Sequence, residues 1–175
     1  MNELDARLTR RYVTKVILYI LLSVLLYVLT TARGTVVSAR LVNINVMPFF
    51  VAALGFFEGP YLAGSMGVWC GLLLTLSSNT VEGAEALALG LFGVLCGTVG
   101  VTFMRRIALS GLACGLGFLA LRGVMSAVYY QLFYGIHPRD IAVSCALCAA
   151  LSVLPGLLCW QLVSLIHDRL TEEES

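Results

Sequence analysis

The stretch Phe56-Phe57-Glu58-Gly59-Pro60, followed by Gly64-Ser65-Met66-Gly67-Val68-Trp69-Cys70-Gly71-Leu72-Leu73-Leu74-Thr75, decides how the chain is read. A carboxylate beside a Gly-Pro turn closes one apolar run, and the next apolar run opens with glycines at 64, 67 and 71. On a helix, residues three and four apart are neighbours, so these glycines share one face. In a bilayer, where lipid tails are as apolar as leucine, such a face lets two backbones approach and gain van der Waals contact. The plain reading is a helix-crossing groove with no chemistry of its own, since only Glu58 nearby has a side chain capable of acid–base work.

Working outward, composition decides the class. Of the 175 residues, 59% are apolar and only 12% charged, against roughly 25% charged in soluble domains. The chain therefore reads as an integral membrane protein of one domain. A net charge of +1 with no basic patch among aromatics gives no footprint for nucleic acid. The six cysteines, at 70, 96, 114, 145, 148 and 159, all fall in apolar runs. Disulfide frameworks belong to short secreted chains with polar loops, and Cys145-x-x-Cys148 has no second pair or histidine to complete it. The thiols read as reduced packing residues. Arg10, Arg11 and Lys15 before the apolar run 16–29 have the outline of a signal peptide. Thr30-Thr31-Ala32 followed by Arg33 is a poor cleavage site, however, so a retained first span is expected.

The hydropathy pattern predicts an all-α polytopic protein with six transmembrane helices in one small bundle. The spans are about 12–30, 41–57, 61–77, 84–104, 109–133 and 141–166. A lead-in, 1–11, precedes this 12–166 domain and an acidic tail, 167–175, follows it. The first span, rich in Leu, Val and Ile, is expected on the lipid-facing rim. The second opens with Asn43, Asn45 and Pro48, so its effective helix starts near Val46 and falls short of the ~20 residues a span needs. Tilt, or a break packed against protein, is the expected remedy. Glu82 and Glu85 suit the positive end of the fourth helix, along which Gly90, Gly93, Gly97 and Gly100 share a face. The fifth ends in Tyr129, Tyr130, Phe133 and Tyr134, an interfacial belt. The sixth carries Ala142, Ala146 and Ala150 at four-residue spacing and a kink at Pro155-Gly156. Arg7, Arg10, Arg11, Lys15, Arg105, Arg106 and Arg169 fall on one side of this arrangement, and Arg33, Arg40 and Arg139 on the other. The positive-inside rule then puts both termini in the cytoplasm.

Arg122 is the charge well inside a span, where insertion scales assign at least ~2.5–3.5 kcal/mol. It faces the bundle interior and ties helices together, binds a ligand group, or snorkels to the interface. Glu58, roughly 15 Å away in depth, is not expected to pair with it. Glu58 reads first as a solvated loop acid, with contact to a partner's basic residue as the alternative. His137 and His167 fall on opposite sides of the membrane, and serine and cysteine lack a histidine base at their depth. The glycines have neither the strand nor the Lys-Ser/Thr of a phosphate loop. No enzyme activity, metal or cofactor is expected.

Pro48 early in span two, the aromatic-Glu-Gly-Pro turn at 57–60, and Gly64-x-x-Gly67-x-x-x-Gly71-Leu-Leu-Leu together resemble MreD, the rod-shape-determining membrane protein family, from about Val46 to Tyr134. The family often has an aspartate where this chain has Thr75, which argues against an essential acid there. The resemblance implies a non-catalytic partner of the single-span protein MreC in the bacterial inner membrane. It also implies association with MreB and the elongation peptidoglycan synthases. It further implies a fold similar to the S component of energy-coupling-factor vitamin transporters, which makes a vitamin-binding subunit the alternative function. Helix-packing or partner-contact candidates are Glu58, Gly59, Pro60, Gly64, Gly67, Gly71, Thr75, Gly90, Gly93, Gly97 and Arg122.

Overall fold

Proline and glycine set several of the helix boundaries. The computed structural model describes residues 3–36, 45–77, 83–102, 108–134 and 138–172, which form six helices. These are α1 (Glu3–Val36), α2 (Met47–Glu58), α3 (Pro60–Ser77), α4 (Ala84–Thr102), α5 (Ala108–Tyr134) and α6 (Pro138–Glu172). Asn45 Oδ1 accepts the Met47 N–H at 3.3 Å, and Pro48 sits in the first turn of α2, where a missing N–H matters least. The other end of α2 stops at Gly59, whose φ of 92° belongs to glycine. Gly59 donates back to the Gly55 carbonyl at 3.3 Å, and its own carbonyl accepts from Ala63. Pro60 then opens α3, so α2 and α3 are joined by a single residue.

Four segments are long and apolar enough to cross a membrane: Tyr12–Leu29, Ala84–Thr102, Ala108–Met125 and Cys145–Arg169. They mark the chain as membrane-embedded. The other two helices, Met47–Glu58 and Pro60–Leu76 in their apolar parts, are shorter. The 12 residues of α2 rise only about 18 Å, well under the roughly 30 Å of hydrocarbon in a bilayer. Every residue from Met47 to Phe57 is buried. α2 is thus the central post of the bundle, with α3, α4, α5 and α6 all packed on it, and protein rather than lipid covers its surface.

Around this post stand two antiparallel pairs, α3 with α4 and α5 with α6, the first being the most extensive contact in the molecule. Its basis is the glycine spacing. A methyl at Gly67 would overlap the Leu89 carbonyl oxygen, one at Gly71 the Cα of Ala86, and one at Gly93 the Ala63 carbonyl. Gly97 faces Pro60 in the same way, while a methyl added at Gly64 would lie 2.6 Å from the Val94 methyl and one at Gly90 2.6 Å from the Val68 methyl. The two glycine faces therefore interlock with each other, backbone against backbone. In lipid, cohesion of this kind comes from dispersion, at ~0.1–0.2 kcal/mol per atom pair but over many pairs. Gly55 extends the seam to α2, with Gly97 N 2.8 Å from where its Cβ would be.

The α5–α6 pair is built on aromatics instead. Gly111 lies beneath the Trp160 ring, and Gly115 and Gly156 both face Phe49. α6 stays helical through Pro155. Its alanine spacing does not mark a packing face, because Ala146 and Ala150 are exposed while Ser152, Gly156, Cys159, Trp160, Val163 and His167 turn inward. The Ala142 side chain, His137 and the aromatic group at 129–134 lie outside the described side chains. α6 also continues through 167–172, residues expected to form a tail, and α1 runs unbroken through most of the expected lead-in.

α1 has the thinnest attachment. It touches α2, α3 and α6 only sparingly and exposes Leu21, Leu25, Val28 and Ile17, among others, on its outer faces. This agrees with a place on the rim. One stripe faces inward, with Tyr19 and Ser23 fully buried and Val16, Leu22 and Leu26 packed on the core.

Candidate functional site

Lys15, Tyr19 and Ser23 recur every four residues along α1, so a straight helix brings them to one face. That face meets the last residue of α2. Glu58 is not a solvated loop acid: its side chain is only 10% exposed, because α1 and α6 close over the α2 terminus. A single oxygen, Oε1, is approached by Lys15 Nζ at 2.9 Å, Tyr19 OH at 2.8 Å and His167 Nδ1 at 2.8 Å. A carboxylate oxygen accepts more than one hydrogen bond, and charge-assisted bonds of this length are the strong ones. Burial takes water away from the Glu58 carboxylate, and the donors from Lys15, Tyr19 and His167 replace that solvation.

Aromatic packing orients the imidazole. The Phe57 ring lies 5.5 Å from His167 and 5.0 Å from Trp160, which also meets Phe56 at 5.7 Å. Two turns deeper, Trp69 Nε1 on α3 donates to Ser23 Oγ at 3.2 Å, and Ser23 in turn donates to the Ile20 carbonyl at 2.7 Å. The polar face of α1 is thus occupied at Lys15, Tyr19 and Ser23 in succession. Gly59 and Pro60 hold Glu58 in place by ending α2 where they do. The cluster can bind a cation or position a proton. Among the described residues no group of His, Cys, Asp and Glu could hold a metal.

A second polar pair lies toward the other end of the bundle. Arg122 on α5 pairs with Glu85 in the first turn of α4. Arg122 therefore ties two helices that otherwise touch little, helped by the Phe92–Phe118 stack at 4.6 Å. Its side chain remains 37% exposed while that of Glu85 is 15% exposed. Glu85 Oε2 is buried without a hydrogen-bond partner among the described residues. Glu58 and Arg122 are not brought together.

The remaining candidates serve packing or their own helix. Gly64, Gly67, Gly71, Gly90, Gly93 and Gly97 form the α3–α4 seam. Thr75, at the position where an acid was considered, donates to the Gly71 carbonyl at 2.9 Å. Ser65, Thr98 and Thr102 bond back within their helices likewise, as hydroxyls in an apolar setting must. The residues that sequence reasoning missed are Lys15, Tyr19 and His167. The signal for the first two was the 15/19/23 spacing; for the last it was the 160/163/167 face of α6. No family model, curated protein or solved structure matches this chain.

Proposed function

We propose that the protein is a non-catalytic membrane scaffold subunit, and that its place is the bacterial cell-wall elongation machinery, where it binds a single-span partner of the MreC type. In this reading all six helices sit in the inner membrane as an S-component-like bundle, with both termini and the Glu58 cluster at the cytoplasmic side. The observation that carries it is the direction of the polar and small side chains. They join helix to helix inside the bundle, at Glu58, at Arg122–Glu85 and along the α3–α4 seam. The outer faces of α1, α5 and α6 are left apolar and available to another transmembrane helix. Such a molecule offers a rigid shape to companions. The test is purification of the tagged protein in mild detergent. Recovery of a bitopic wall-synthesis protein, and cell rounding on depletion, are expected; recovery of neither would overturn the proposal.

One observation favours the alternative of a vitamin-binding subunit: the buried, unpartnered Glu85 Oε2 beside Arg122, at the end where such a subunit would open outward. Capture of a vitamin and co-purification of an ATPase pair, with no cell-shape associate, would decide for it.

A further inference from the structure

We propose that Glu58 is a charge latch that holds α1 on the bundle, and that α1 is a separable helix which leaves when the latch is opened. Two independent features support it. First, α1 is the least packed helix in the molecule, whereas α3 with α4 and α5 with α6 are extensively joined. Second, its strongest attachments are polar and converge on one atom: Lys15 and Tyr19, one turn apart on α1, both meet Glu58 Oε1, which His167 of α6 meets from the other side. In a bilayer no hydrophobic force presses one apolar helix onto another. A helix with an apolar outer face and a thin inner stripe is therefore retained mainly by its polar contacts. Trp69 to Ser23, a further polar contact of α1, is a single neutral hydrogen bond.

Among the described side chains, the groups that face Glu58 are Lys15 and Tyr19 from α1 and His167 from α6. From α3, Tyr61 follows the turn but stands 93% exposed. On α6, the next residue after His167, Asp168, is exposed and accepts from Ser164. The latch opens when a competing cation, or removal of the carboxylate charge, takes Lys15 away.

The experiment uses the full chain with a specific protease site placed in the 37–44 connection and an affinity tag after Ser175. The protein is purified in mild detergent at neutral pH, cut, and returned to the affinity resin, and the fraction of α1 that washes off is measured. In the unmodified sequence α1 stays bound at neutral pH. Glu58→Gln is expected to raise the released fraction at neutral pH by roughly tenfold, because it removes the charge from a buried ion pair. Lys15→Met and Tyr19→Phe leave Glu58 in place and are expected to give smaller increases, so they decide the matter if Glu58→Gln does not fold. Equal retention of α1 in every variant would overturn the proposal. So would loss of α1 from the unmodified protein at neutral pH.

Discussion

Replacing Gly67 by alanine tests the interlock of α3 and α4 with the smallest possible change. The added methyl has no free space, for it would overlap the Leu89 carbonyl oxygen and crowd the Cα of Gly90 at 3.0 Å. Both neighbours are backbone, so no side chain can swing aside. Restoring an ordinary non-bonded separation of about 3.5 Å requires the two helices to part by about 1 Å. Overpacking of this sort costs about 1–3 kcal/mol. Relief of the helical glycine returns about 1 kcal/mol, for a net loss of about 0–2 kcal/mol against the unmodified protein and of about 1–3 kcal/mol against a glycine-to-alanine change that meets no clash. For a chain of this size each kcal/mol is worth about 2–4 °C, so the thermal midpoint should lie about 2–12 °C below that of such a control. Gly117, on the exposed face of α5, has nothing within 4 Å of an added Cβ, and Gly117→Ala is the matched control. The assay is the melting of both variants in one detergent, followed by tryptophan emission and by loss of monodisperse protein on size exclusion. If Gly67→Ala melts with Gly117→Ala and the unmodified protein, the backbone contact is not what joins α3 to α4.

Removing Arg122 alone as Arg122→Leu leaves Glu85 buried without its cation and should cost about 1–3 kcal/mol, the partial exposure of the arginine limiting the loss. The double variant with Glu85→Gln should recover part of that loss, whereas strictly additive losses would show that the pair is not coupled. Ser23→Ala removes the acceptor of the Trp69 bond with little change in volume; a stability loss of about 0.5–1.5 kcal/mol is expected, and Trp69→Phe, which loses the same bond together with part of the indole, should cost more alone but add less than its own loss to Ser23→Ala.

Glycine spacing carried much of the fold because small residues have little other reason to recur at three and four positions along an apolar helix. The register 64/67/71 against 90/93/97 is a property of two segments, and both can be read along the chain. The shortness of α2 was legible too, from Asn45, Pro48 and the Gly59-Pro60 stop. That α2 stands in the centre was not, since a run such as Met47–Phe57 is equally apolar whether lipid or protein surrounds it. The alanines of α6 show the limit of spacing as evidence. Ala146 and Ala150 repeat at four residues and yet face outward, because bulky Trp160 and Phe49 decide which side of α6 the bundle accepts.

Glu58 was misread for a related reason. Along the chain it is an isolated acid in a Gly-Pro turn, and isolated acids in turns are usually solvated. Its partners are 39, 43 and 109 positions away, so no local pattern announces them. Yet the crossing pattern alone already puts Lys15, Glu58 and His167 at the same end of the molecule, and helical spacing puts Lys15, Tyr19 and Ser23 on one face. An apolar bundle has few polar side chains to distribute. When three titratable groups share a depth and one of them ends a helix too short to reach open water unaided, mutual pairing costs less than separate solvation. The same reasoning applies to Arg122: its charge is unaffordable alone in the fifth helix, and the acid at its depth is Glu85, not Glu58. Depth, rather than distance along the chain, is the coordinate in which the polar residues of this protein find one another.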